Sequence, residues 1–80
     1  MTNERRVKAR QIDARGLRCP LPVLRLRRAA EEAGEGIMEL LATDPAARTD
    51  VPAFCAQKGW VLESMAEQDD GATLYRVRLT

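Results

Sequence analysis

Eighty residues make one domain with a small core, because folding at this length buries only about 60% or a little more of the surface the unfolded chain exposes. Thirteen Lys and Arg against twelve Asp and Glu leave a net charge of +1, so no global field draws in nucleic acid or an anionic membrane, and no apolar run approaches the ~20 residues that span a bilayer. Histidine is absent, which removes Cys-His nucleophile pairs, imidazole bases and the commonest zinc ligand sets, and two cysteines are too few for a structural zinc site.

The opening Met1-Thr2-Asn3-Glu4-Arg5-Arg6 lacks the apolar stretch of a signal peptide. It reads as a flexible N-terminus on a single domain over residues 7–80, located in the cytoplasm, with both cysteines as reduced thiols. Residues 7–14 have strand character, with Val7 and Ala9 in one phase and Ile12 in the other. Gly16 loosens the loop Asp13-Ala14-Arg15-Gly16-Leu17-Arg18. Over residues 19–33, Val23, Leu26, Ala30 and Ala33 share one helical face, Arg25, Arg28, Glu31 and Glu32 take the wet side, and Gly34 suits the end.

Residues 37–43 are short and mostly apolar, as an inner strand under helices should be, and Asp44-Pro45 stops them. A second helix begins between Asp44 and Asp50. Pro52 is tolerable only in a first turn and so favours Asp50, or a residue just before it, as the cap. Its apolar face is Val51, Phe54 and Cys55, and Gly59 ends it. Two strands follow, over residues 60–67 and Thr73–Leu79. In the second, Tyr75, Val77 and Leu79 point inward while Leu74, Arg76 and Arg78 point outward, and Asp69-Asp70-Gly71 is a hairpin signal. The order β-α-β-α-β-β implies an α+β two-layer sandwich, a four-stranded mixed sheet with both helices on one face.

Cys19 is the residue with chemistry to offer. It stands where loop becomes helix, flanked by Pro20 and Pro22, which lack the N–H that a first helical turn leaves unbonded anyway. With Cys19 as N-cap, the amides of Leu21 and Val23 and the helix dipole favour a thiolate, and Arg15 and Arg18 add positive charge. Such surroundings lower a cysteine pKa from about 8.5 to roughly 3.5–7.5. The thiolate can then attack the outer sulfur of a persulfide without a base. A dithiol redox site is the nearest rival and is weak, because no Cys-x-x-Cys exists and Cys55 lies on the other helix, where it reads as core. Arg25 and Arg28 read first as a solvated helix face, with docking of an acidic partner beside Arg15 and Arg18 as the alternative. Trp60 reads as a core anchor at a strand start.

Two motifs carry a resemblance. Asp13-x-x-Gly16-x-x-Cys19-Pro20-Leu21-Pro22, together with Asp44-Pro45 and Asp50-x-Pro52-x-Phe54-Cys55, resembles the TusA/SirA sulfur-carrier family from about Ile12 to Leu79. The resemblance implies a sandwich like the C-terminal domain of translation initiation factor 3, with Cys19 bearing a persulfide and Gly16, Pro20, Leu21 and Pro22 shaping its site. The expectation is a carrier rather than a turnover enzyme, a monomer needing no cofactor or metal. Its sulfur donor would be a cysteine desulfurase or rhodanese-like protein, and a downstream acceptor protein would serve tRNA thiolation, molybdenum cofactor metabolism or sulfur oxidation. Leu21 stands where the tRNA-thiolation members tend to carry an acidic residue, and Lys58-Gly59-Trp60 lacks the histidine many relatives have after the glycine. A binding module is the competing class, since an open sheet can bind RNA or serve only for regulatory docking. One Trp, one Tyr and one Phe offer no stacking platform, however, and the balanced charge argues against direct nucleic-acid binding.

Overall fold

The computed structural model describes residues 9–80, in the order β1 (Arg10–Ala14), α1 (Leu21–Ala33), β2 (Gly36–Ala42), α2 (Ala47–Lys58), β3 (Val61–Glu67) and β4 (Thr73–Leu79). The flexible N-terminus expected over residues 1–6, and the first two residues of the expected 7–14 strand, lie outside the described residues. The four strands form one sheet in the order β1-β2-β4-β3. β1 runs parallel to β2, while β4 pairs antiparallel with β2 on one side and with β3 on the other. The sheet is therefore mixed, and the expected sandwich is observed.

Strand periodicity decides which face is covered. Ala14, Met38, Leu40, Ala42, Tyr75, Val77 and Leu79 alternate along three paired strands and are all buried. Onto this row α1 lays Pro22, Leu26, Ala29 and Ala30, and α2 lays Ala47, Val51 and Cys55. The alanines let the helices approach the sheet closely. β4 has the alternation expected of it, with the intervening Leu74, Arg76 and Arg78 on the other face. There Arg76 pairs with Glu39 at 2.6 Å and Glu63 at 3.2 Å, and Arg78 with Glu63 at 3.2 Å. A bulge between Leu62 and Ser64 places Glu63 beside both arginines.

α2 begins earlier than Pro52 suggested. Its first helical residue is Ala47, so Pro52 lies inside the helix rather than in its first turn. The start is fixed instead by the turn at Asp44-Pro45-Ala46. Asp44 accepts the Ala46 N–H on Oδ1 at 3.0 Å, and the Ala47, Arg48 and Thr49 amides close onto the Asp44, Pro45 and Ala46 carbonyls. By position 52 the chain is already committed to the helix, and the missing N–H forfeits one internal bond. At the other end, Trp60 donates its N–H to the Cys55 carbonyl and packs edge-to-face on Phe54, with ring centroids 5.5 Å apart.

Candidate functional site

Cys19 lies in the loop between β1 and α1, partly buried, with its side chain packed against the main core cluster. Three constraints hold that loop. Gly16 turns through φ +81°, a left-handed conformation that L side chains rarely adopt, and donates its N–H to Thr43 Oγ1 at 2.8 Å. The Leu17 N–H returns to the Ala14 carbonyl at 3.2 Å. The Cys19 N–H is donated to Asp44 Oδ2 at 2.7 Å. One carboxylate thus holds the start of α2 and the backbone of Cys19 together, and these two hydrogen bonds keep Asp44 below the usual carboxylate range.

The helix entrance differs from the sequence expectation at one residue. Pro20, not Cys19, is the N-cap, because the first α-helical bond runs from the Leu24 N–H to the Pro20 carbonyl at 2.9 Å. Leu21 turns its N–H back to the Arg18 carbonyl at 2.8 Å. Its amide is therefore not free to favour a thiolate at Cys19, Pro20 and Pro22 have none to give, and of the two amides expected as donors only that of Val23 is left without a backbone acceptor.

The electrostatics reverse the expectation. The Cys19 thiol is pushed up from the usual 9 to about 11, first by burial and then by the carboxylates of Asp50 and Asp44. The arginines are directed elsewhere. Arg15 makes a two-pronged contact with Asp13 at 2.9 and 2.7 Å and reaches Asp70 at 2.8 Å, holding Asp13 down at about 2. Arg25 lies in a groove of about 610 Å³ beside β1, with Arg10, Asp13, Arg28 and Glu32, and acts on Asp13. Arg18 alone remains close, lining a recess with Gly16, Thr43 and Asp44 and acting on Asp44. At rest Cys19 is a neutral thiol beside two acids.

Of the residues singled out from sequence, the fold brings Gly16, Arg18, Pro20, Leu21 and Pro22 around Cys19 and sends Arg15 and Arg25 to the β1 side. Pro22 is buried beneath the helix start, while Leu21 and Leu24 are exposed at 48% and 46%. Between the helices a cleft of about 240 Å³ opens beside the site, lined by Pro20, Val23, Asp50, Ala53, Phe54 and Gln57. Cys55 is 2% exposed and raised by burial alone, so it is a core residue with an inert thiol. The influence of Asp44 and Asp50 on the thiol was missed in the sequence. Their positions at the start of α2 were legible as caps; their proximity to Cys19, about one helix and one strand away along the chain, was not.

A family model described as sulfurtransferase TusA matches residues 10–79. The chain belongs to the TusA sulfurtransferase family. A Neisseria meningitidis protein provisionally named a sulfur carrier is 45% identical over 64 residues, covering 79% of this chain and 86% of that one. The sulfur carrier protein TusA of Pseudomonas entomophila is 41% identical over 69 residues, 84% of each chain. In shape, the chain is similar to the crystal structure of a SirA-like protein from Desulfitobacterium hafniense, with a TM-score of 0.78 at 27% identity over 89% of this chain and 96% of that one. TusA family membership spans the whole sandwich. Among the described residues no helix is long and apolar enough to cross a membrane.

Proposed function

We propose that this protein carries sulfane sulfur as a persulfide on Cys19. It would take the sulfur from a cysteine desulfurase or rhodanese-like donor and pass it to an acceptor protein in a relay for tRNA thiolation, molybdenum cofactor metabolism or sulfur oxidation. The observation that carries the reading is the place of Cys19, a free thiol at a helix entrance with exposed Leu21 and Leu24 beside it, in a family whose members are named sulfur carriers. Solvent-exposed leucines next to a nucleophile suit docking of a protein partner better than binding of a small molecule. Two free cysteines suit a reducing cytoplasm.

In the transfer step the Cys19 sulfur attacks the outer sulfur of the donor's persulfide. A new S–S bond forms at Cys19, the donor's own S–S bond breaks, and the proton from Cys19 passes to the donor's departing thiolate. A thiol raised to about 11 leaves only about one part in ten thousand ionised at neutral pH, so a free carrier reacts slowly with stray electrophiles. Docking of a donor that offsets the charge of Asp50 and Asp44 is what ionises Cys19. Carriage rather than turnover fits a site that brings no general base beyond those acids.

RNA binding on the open sheet has less support, because Arg76 and Arg78 are already paired with Glu39 and Glu63. Incubation with a desulfurase and cysteine, followed by intact mass spectrometry, should add the mass of one or more sulfur atoms to the wild type and none to Cys19→Ser. A gain that survives the substitution refutes Cys19 as the carrier.

A further inference from the structure

The sheet has two edges, and the chain protects only one of them. β3 is blunted by the bulge between Leu62 and Ser64, with Glu63 drawn to Arg76 and Arg78 and Glu67 to Arg48. β1, at the other edge, pairs with β2 without a shift in register, and among the described residues no strand lies on its outer side. A strand paired on one side alone leaves a row of backbone N–H and C=O groups that a further strand can bond.

That open edge forms one wall of the groove of about 610 Å³. Residues 10–13 line it on the β1 side, and Arg25, Arg28, Ala29 and Glu32, at the spacing of one helical flank, line it on the α1 side. Half-buried Ile12 and buried Ala29 contribute apolar surface. Because α1 runs back along β1, Arg10 meets Glu32 at 2.9 Å at one end, and Asp13 and Arg25 mark the other, where β1 enters the loop of Cys19.

The charges of the groove are uneven. Of its two acids, Glu32 is shared by Arg10 at 2.9 Å and Arg28 at 3.7 Å, and Asp13 is held by Arg15. Arg25 makes no ion pair among the described residues, and the Arg28 side chain is 84% exposed. Unsatisfied positive charge therefore lies beside unsatisfied backbone groups. A nucleic-acid strand can accept from the N–H groups but leaves the C=O groups unbonded, and its phosphates meet Asp13 and Glu32. A second copy brings either β1, whose arginines repel these, or β3, which is bulged and has its glutamates already paired. An acidic extended peptide satisfies both the charge and the backbone.

We propose that the groove between β1 and α1 binds an acidic extended segment of a partner protein, which adds to the sheet beside β1 and sets its carboxylates on Arg25 and Arg28. The proposal goes beyond the carrier reading and does not depend on it. A segment laid there ends beside the Cys19 loop, so it tethers a protein that engages the thiol without occupying the cleft between the helices.

The probe is a fluorescein-labelled peptide of about ten residues, alternating Glu and Thr, titrated with the full chain and followed by fluorescence anisotropy. Binding should weaken about tenfold when Arg25→Glu and Arg28→Glu are combined, both at exposed positions, and several-fold between about 50 and about 300 mM salt. The same peptide methylated on its backbone nitrogens keeps its carboxylates but cannot pair with the edge, and it should not bind. Amide hydrogen exchange read by NMR should slow at outward-facing amides of residues 10–14 when the unmodified peptide is added, and not along β3. Should the double variant not fold, this exchange pattern of the wild type decides. No binding by the wild type overturns the proposal, as does equally tight binding of the methylated peptide, of a peptide alternating Gln and Thr, or of a single-stranded RNA of the same length. Sulfur loading of Cys19 is read separately by mass, so a failure of the carrier reading leaves these outcomes unchanged.

Discussion

Replacing Asp50 with Asn keeps the side-chain shape and removes one negative charge from the neighbourhood of Cys19. The thiol stands about two pKa units above its usual 9; burial is the largest single cause, Asp50 acts next through both a hydrogen bond and its charge, and the charge of Asp44 adds least. Two unit charges ~4 Å apart interact by about 4 kcal/mol at an effective dielectric of 20 and about 1 kcal/mol in water. A partly buried pair open to a surface cleft falls toward the lower figure, so Asp50→Asn should lower the Cys19 pKa by roughly half a unit to one unit. The rate of Cys19 alkylation by iodoacetamide, followed by mass spectrometry as a function of pH, reads this directly, with Cys55 excluded by its burial. At neutral pH the rate should rise about three- to tenfold, and the midpoint of the profile should move down. Asp50 also lies in the first turn of α2, so the variant should lose about 0.3–1 kcal/mol of stability from the helix dipole. An unchanged midpoint, or one that rises, refutes the placement of Asp50 beside the thiol.

Three further outcomes follow from the packing and charge pattern. Leu26→Ala, at a position 0% exposed, should cost about 2–5 kcal/mol in urea denaturation, a large share of the roughly 4–12 kcal/mol available to a domain of this size. Asp13, Asp44 and Asp70 all have folded pKa values below the unfolded one, so the stability they contribute is present above about pH 4 and is lost as pH falls through their folded values. Thermal melts should therefore decline steadily between about pH 4 and 2, and a flat profile there contradicts the assigned pairings. Leu24→Gln, at an exposed position, should change stability by no more than about 0.5 kcal/mol while slowing sulfur transfer from the donor protein several-fold. Unaltered transfer kinetics would move the docking surface away from the start of α1.

Local patterns in the chain were enough for the elements. The 3.6-residue spacing of Leu26 and Ala30, the strict alternation of Tyr75, Val77 and Leu79, and the Asp69-Asp70-Gly71 turn each report neighbours within a few residues, and those neighbours fix helix, strand and hairpin. Pro52 misled because a proline's incompatibility with a helix interior is a local cost, whereas the start of α2 is set by the capped turn at Asp44, which continues through it.

The proposal of Cys19 as the sulfur-bearing residue comes from the residues on either side of it and the absence of histidine. The electrostatics of Cys19 were not legible there. Sequence proximity put Arg15 and Arg18 next to the thiol and implied a thiolate. In the fold, Arg15 turns to Asp13 and Asp70, and the residues that reach Cys19 come from 25 and more positions away: Asp44, whose carboxylate holds its amide, and Asp50, one turn into α2. The sheet order β1-β2-β4-β3 places the last strand between β2 and β3, which buries Tyr75 under the helices. The sequence by itself determined the elements and the family and singled out Cys19; only the tertiary structure decided what surrounds that thiol, because burial and the through-space charges that set a pKa are not encoded in chain order.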